Sequence, residues 1–279
     1  MNEAVALAPR RRRLWLYLLA AAVVLFLVLP VLIVMPMSFS DSRMLDFPPR
    51  GWSLRWYQRF FSAAEWYGSL WVSLRVALCT VLVAVPLGVA AAYGIHQGAS
   101  RALRRVQLLL MLPLMMPHII LAVGIFYAFS RLAWLGSFGG LVLAHAMLAL
   151  PFVVVTVLAG LRGFDMSQEQ VARSLGCTRL RAFLSVTLPQ IRTSVLSGAL
   201  FAFVTSLDEV IVSLFVSGGD NTTVTKVMFG SLRDEIDPTI STVSTLLVLG
   251  SCAIAALGMV PALRSRRRRQ AAGRHPVNR

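Results

Sequence analysis

Lysine is nearly absent from this chain. Lys226 is the only one, set between Thr225 and Val227, so the Gly-Lys-Ser/Thr ending of a phosphate-binding loop is missing and no nucleotide site is expected. Cysteine is limited to Cys79, Cys177 and Cys252, an odd count without paired spacing that argues against a disulfide framework or a zinc site. His118 and His145 have no third ligand at metal spacing, and Met111, Met115 and Met116 lack the Cys or His of a copper path, so no metal is expected. Charge is scarce too. Only 14% of residues are charged and 57% are apolar, with a mean hydropathy of +0.72, whereas a soluble chain carries about a quarter charged residues. So little polar surface cannot solvate a globule, and lipid is the expected solvent.

What charge there is has one dominant sign: 27 basic against 12 acidic residues, for a net charge of +15. The basic residues form no stripe on a folded domain. They stand in short clusters between apolar runs, as basic residues do in cytoplasmic loops, so the partner they imply is membrane lipid and not nucleic acid. Six apolar stretches are long enough to span a bilayer, near residues 14–37, 68–94, 108–129, 138–158, 194–216 and 240–263. Nineteen Lys and Arg fall in segments 1–13, 95–107, 159–193 and 264–279, against seven in 38–67, 130–137 and 217–239. That bias predicts an all-α membrane protein of six transmembrane helices with both termini cytoplasmic. Pro86, Pro113, Pro117 and Pro151 lie within spans and should kink or break them. Arg75, the one basic residue inside a span, is expected to snorkel to the outer surface.

The cytoplasmic connection 159–193, between spans four and five, is too long for a hairpin turn. Asp165 or Ser167 can cap a short helix, with Gln168 completing a capping box. Val171 and Leu175 share a face at i, i+4, and Gly176 reads as the terminator because it accepts a left-handed backbone cheaply. Thr178 can cap a second helix carrying Leu180, Phe183, Leu184 and Thr187, with Pro189 closing it. Such amphipathic helices need cover for their apolar side, from headgroups or from another protein.

At these residues the chain resembles the permease subunits of bacterial ABC importers, whose loop reads EAA, three residues, Gly, nine residues, Ile, one residue, Leu-Pro. Here the stretch is QVARSLGCTRLRAFLSVTLP, from Gln170 to Pro189. Ala172, Gly176, Leu188 and Pro189 match, while Gln170, Val171 and Val186 depart from the family's Glu, Ala and Ile. The stretch TSLDEVIVSLFVSGGDNTTVTKVMFGSLRDEIDPTISTVSTLL, from Thr205 to Leu247, is similar to the second permease of spermidine/putrescine-type importers. The resemblance implies a bacterial inner-membrane subunit that is not an enzyme. Its implied domain plan is a first helix with an external loop (1–66), an ABC type-1 transmembrane domain (67–263, coupling loop 162–190) and a basic cytoplasmic tail (264–279). It further implies ATPase subunits that bind ATP and Mg, a second permease forming a heterodimer, and an extracytoplasmic solute-binding protein. Gln170, Val171, Ala172, Gly176, Leu188 and Pro189 would then face the ATPase. The implied cargo is a polyamine or related cation, with a different small solute as the alternative and a secondary transporter as a more distant one.

Asp208 and Glu209 are the costliest residues to leave without a role. They sit about 21 Å into span five, where a carboxylate costs about 2.5–3.5 kcal/mol on insertion scales. With Thr205 and Ser213 one turn to either side they form a polar stripe, expected to line the translocation path, to meet the partner permease or to lie nearer the outer headgroups. Asp220, Asp234, Glu235 and Asp237 make the last external loop acidic, a surface for cations or for the binding protein.

Overall fold

The computed structural model describes residues 14–98, 100–234 and 236–272. The basic tract 1–13, the end of the tail 273–279, Ala99 and Glu235 fall outside them. Along the described residues the chain forms α1 (Leu14–Met37), α2 (Arg55–Ser62), α3 (Ala64–Gln97), α4 (Arg101–Met115), α5 (His118–Arg131), α6 (Phe138–Arg162), α7 (Ser167–Ser174), α8 (Arg179–Ala182), α9 (Leu188–Leu207), α10 (Ile211–Val216), α11 (Val224–Asp234) and α12 (Thr239–Ala272). A single isolated β-bridge, Ser40 to Trp52, is the only strand-like pairing among them. The all-α expectation holds.

The described residues of 63–230 and 250–272 make one compact unit. At its centre α6 is packed between α3 and α9, with Ala149, Val153, Val154, Val157 and Leu161 fully buried. In lipid, helices gain nothing from hiding apolar surface against each other, so close approach through small residues holds them together. A Cβ on Gly88 of α3 would stand 2.6 Å from Val153 Cγ1, and one on Gly198 of α9 would stand 2.7 Å from Thr156 Oγ1. These glycines are where α3 and α9 touch α6. A second cluster, including Val76, Ile125, Leu141, Leu148 and Val212, joins α3, α5, α6 and α10.

Two of the expected spans are not continuous. The stretch 108–129 is divided between α4 and α5, which meet at 107°. Pro117 supplies no N–H, and its ring drives Met116 into the extended region at φ −93°, ψ 142°. Pro86, Pro113 and Pro151, in contrast, remain inside α3, α4 and α6. The stretch 194–216 is cut between α9 and α10 at Asp208, Glu209 and Val210, where two consecutive carboxylates interrupt the apolar run. Three helices, Trp15–Met37, Ala64–Gln97 and Phe138–Arg162, are individually long and apolar enough to cross a bilayer; α4 and α5 qualify only as a bent pair, and Thr239–Ile254 is a shorter apolar helix.

The other unit comprises the described residues of 14–62 and 231–249. Its α1 is apolar on every face and exposed from Trp15 to Leu29, which demands lipid or another chain around it. The irregular stretch after α1 is tied to α2: Ser38 Oγ lies 2.9 Å from the Tyr57 hydroxyl and Trp56 Nε1 donates to the Ser42 carbonyl at 3.2 Å. Arg59 pairs with Asp237 at 3.1 Å.

Candidate functional site

Two polar constellations in the first unit carry the residues singled out from sequence. The first is the segment 163–190. Asp165 opens it: its carboxylate accepts the Ser167 N–H at 3.0 Å and the Ser167 hydroxyl at 2.8 Å, and these bonds hold the carboxyl below its ordinary range. The capping box does not form, because Gln168 instead accepts a hydrogen bond from the Gln190 amide. Gly176, at φ +94°, ends α7. Its N–H donates to the Arg173 carbonyl at 3.0 Å and the Cys177 N–H to the Ala172 carbonyl at 3.1 Å, the paired bonds of a Schellman ending. Thr178 Oγ1 then accepts the Arg181 N–H at 3.4 Å, as a cap for α8.

Pro189 does not close α8. The chain runs from α8 through a π turn, Phe183–Thr187, directly into α9, and Pro189 lies in the first turn of α9. Its missing N–H costs nothing there, because the first N–H groups of a helix have no intrahelical acceptor.

The apolar side of this segment is open. Val171, Leu180 and Leu184 are exposed and Leu175 is 82% exposed. Gln170, Gly176 and Pro189 are exposed as well, while Ala172 and Leu188 are half-buried. The inward contact comes from Glu169. Glu169 is 1% exposed and accepts hydrogen bonds from the Tyr93 hydroxyl at the end of α3 and from the Thr187 hydroxyl in the π turn. Arg179 lies over the Tyr93 ring, its guanidinium carbon 5.3 Å from the centroid. The available signal was the i, i+3 pairing of Glu169 with the small Ala172, which marks the inner face of α7.

The second constellation surrounds the break between α9 and α10. The stripe Thr205, Asp208, Glu209 and Ser213 does not share one environment. Glu209 is buried: its Oε1 accepts the Val212 N–H at 2.9 Å and so caps α10, and its Oε2 lies 3.5 Å from His118 Nδ1. His118 is the first residue of α5, so one carboxylate ties the α9–α10 break to the α4–α5 break. Ser213 is buried against His145, whose Nε2 lies 3.2 Å from Ser213 Oγ and whose Nδ1 lies 2.8 Å from Ser206 Oγ. Ser206 continues to Thr80 of α3 at 3.4 Å. His145 is thus held in a buried polar contact, while His118 is exposed and meets Glu209. Asp208 alone is exposed, with Thr205 half-buried one turn before it, and Asp208 makes no ion pair among the described residues. Arg75 pairs with neither carboxylate; its guanidinium lies 6.0 Å from the Phe138 ring at the start of α6.

Residues 84–269 match the family described as binding-protein-dependent transport system inner membrane component. The chain is 34% identical over 236 residues to the putrescine transport system permease protein PotI of Escherichia coli (strain K12), covering 82% of this chain and 83% of that protein. It is 28% identical over 235 residues to the spermidine/putrescine transport system permease protein PotC of Haemophilus influenzae, covering 84% and 91%. Among solved structures it is similar in fold, at TM-score 0.70 and 14% identity over 89% of this chain and 93% of the other, to a chain of the bacterial alginate ABC transporter in complex with an alginate pentasaccharide-bound periplasmic protein.

Proposed function

The chain belongs to the family of binding-protein-dependent transport system inner membrane components, as a permease subunit of an ABC importer, and we propose that its cargo is a polyamine or a closely related small cation. The observation that carries this reading is Asp208. It is an exposed carboxylate at a break in a membrane helix, without an ion-pair partner among the described residues, in a chain 34% identical to a putrescine permease. An unpaired carboxylate at that depth faces water or a partner, and a cation moving past it would meet the charge it needs. Thr205, one turn away, offers a hydroxyl to the same space. Glu209 and Ser213 act behind this surface by holding the break together.

The rest of the machine follows from this reading. The chain crosses the inner membrane six times, with the α4–α5 and α9–α10 pairs as broken crossings and both termini cytoplasmic. Residues 67–263 form the transporting domain, 1–66 the first helix and external loop, and 264–279 a basic tail on anionic lipid. ATP and Mg are bound and ATP is hydrolysed by separate ATPase subunits, which grip the exposed side of α7 and α8 around Gln170, Val171 and Gly176. Leu188 and Pro189 carry the displacement into α9, which ends just before Asp208, and Ala172 stands half-buried on α7. A second permease completes the path, and an extracytoplasmic binding protein delivers the solute.

The test is ATP-dependent uptake of labelled putrescine by proteoliposomes holding the complete complex and its binding protein. Asp208→Asn is expected to raise the half-saturating solute level about tenfold, a change of about 1.4 kcal/mol. Equal uptake by the Asn variant, or uptake only of anionic or neutral solutes, would remove the cation assignment.

A further inference from the structure

We infer that Glu169 is the positioning residue that transmits movement of the exposed α7–α8 segment to α3 and α9, through the hydroxyls of Tyr93 and Thr187. The inference rests on the reading that α7 is where the ATPase pushes.

The chemistry of the site is unusual for a purely structural contact. A carboxylate 1% exposed has only two neutral hydroxyl donors, Tyr93 and Thr187. Arg179 is one group removed: its Nε donates to the Tyr93 hydroxyl at 3.5 Å. Burying a carboxylate on such terms costs free energy that a leucine at the same position would not cost. What the carboxylate provides instead is direction, because two hydrogen bonds from two different elements fix α7 in one register.

An apolar cavity of about 730 Å³ lies beside the segment, lined by Val89 of α3, Leu180 of α8, Phe183 and Leu184 of the π turn, and Leu188 and Val195 of α9. Beside that cavity, the Tyr93–Phe183 ring pair, 4.6 Å between centroids, and the Glu169 bonds form the corner that joins α7 and the π turn to α3. Thr187, the last residue of the π turn, leads straight into α9. A push on Leu175 therefore reaches the end of α3 and the start of α9 through one buried carboxylate.

The decisive measurement is the number of solute molecules imported per ATP hydrolysed in the assembled, binding-protein-stimulated complex. Removing either the acceptor, by Glu169→Ala, or one donor, by Thr187→Val, is expected to lower that ratio at least fivefold while the ATPase still co-purifies with the chain. Thr187→Ser, which keeps the hydroxyl, is expected to restore it to within twofold. Where Glu169→Ala fails to accumulate, the Thr187→Val and Thr187→Ser pair decides. An unchanged ratio in Thr187→Val with the ATPase bound would overturn the inference and leave the importer assignment intact. Loss of ATPase co-purification from wild type would instead strike the underlying reading.

Discussion

Glu209→Ala and Asp208→Asn should separate cleanly, although the two residues are neighbours. Glu209 is buried, caps α10 through the Val212 N–H at 2.9 Å and reaches His118 at 3.5 Å. Losing a helix cap costs about 0.5–2 kcal/mol. A loss of about 0.5–2 kcal/mol corresponds to a fall in melting temperature of about 1–8 °C for a domain of this size. Asp208 makes no ion pair among the described residues, so Asp208→Asn should leave the melting temperature within about 1 °C, in keeping with surface substitutions away from special contacts. The assay is thermal unfolding of the purified complex in nanodiscs, followed by intrinsic fluorescence, with putrescine uptake measured on the same preparations. Glu209→Gln, which keeps a carbonyl oxygen for the Val212 N–H, should recover most of the lost stability. A Glu209→Ala variant that melts like wild type, beside an Asp208→Asn variant that melts several degrees lower, would contradict these assignments.

Gly176→Ala forces a Cβ onto a backbone at φ +94°, at a cost of about 1–2 kcal/mol, and should reduce recovery of the ATPase on affinity purification of the permease. Gly198→Val places atoms into Thr156 and Val153 of α6, where even a Cβ would lie 2.7 Å from Thr156 Oγ1; overpacking of about 1–3 kcal/mol should lower the yield of folded subunit on gel filtration. Asp165, held below its ordinary range by Ser167, stabilises the start of α7 above that range and loses the effect as pH falls through the depressed value. Asp165→Ala should therefore weaken ATPase binding at pH 7 and make no difference at the acid end, as read by binding across a pH series.

Much of the segment 163–190 is legible without coordinates because its signals are local. Gly176 has to be glycine to end α7, and Thr178 has the hydroxyl that caps α8. The inner face was not legible in the same way. Gln170 holds the position of the family's glutamate, yet it faces outward, and its neighbour Glu169 turns in to Tyr93, a residue 76 positions earlier in the chain. Pro189 has the look of a stop, but a π turn carries the helix past the point where a regular α8 would end. The stripe of Thr205, Asp208, Glu209 and Ser213 assumed an unbroken helix. The break after Leu207 puts Glu209 beneath α10 and leaves Asp208 outside, an outcome fixed by the distant partners His118 and His145. Pro117 announces the other break plainly, since proline removes a helix hydrogen bond wherever it stands.

The most direct measurement is site-specific crosslinking from Leu175, which is 82% exposed on the apolar side of α7 and α8. A photoreactive residue at that position in intact cells should capture the ATPase subunit, with a yield that changes between nucleotide-free and ATP-bound states. Capture of lipid alone, or labelling by an impermeant reagent added outside the cell, would contradict the assignment of this surface to the motor.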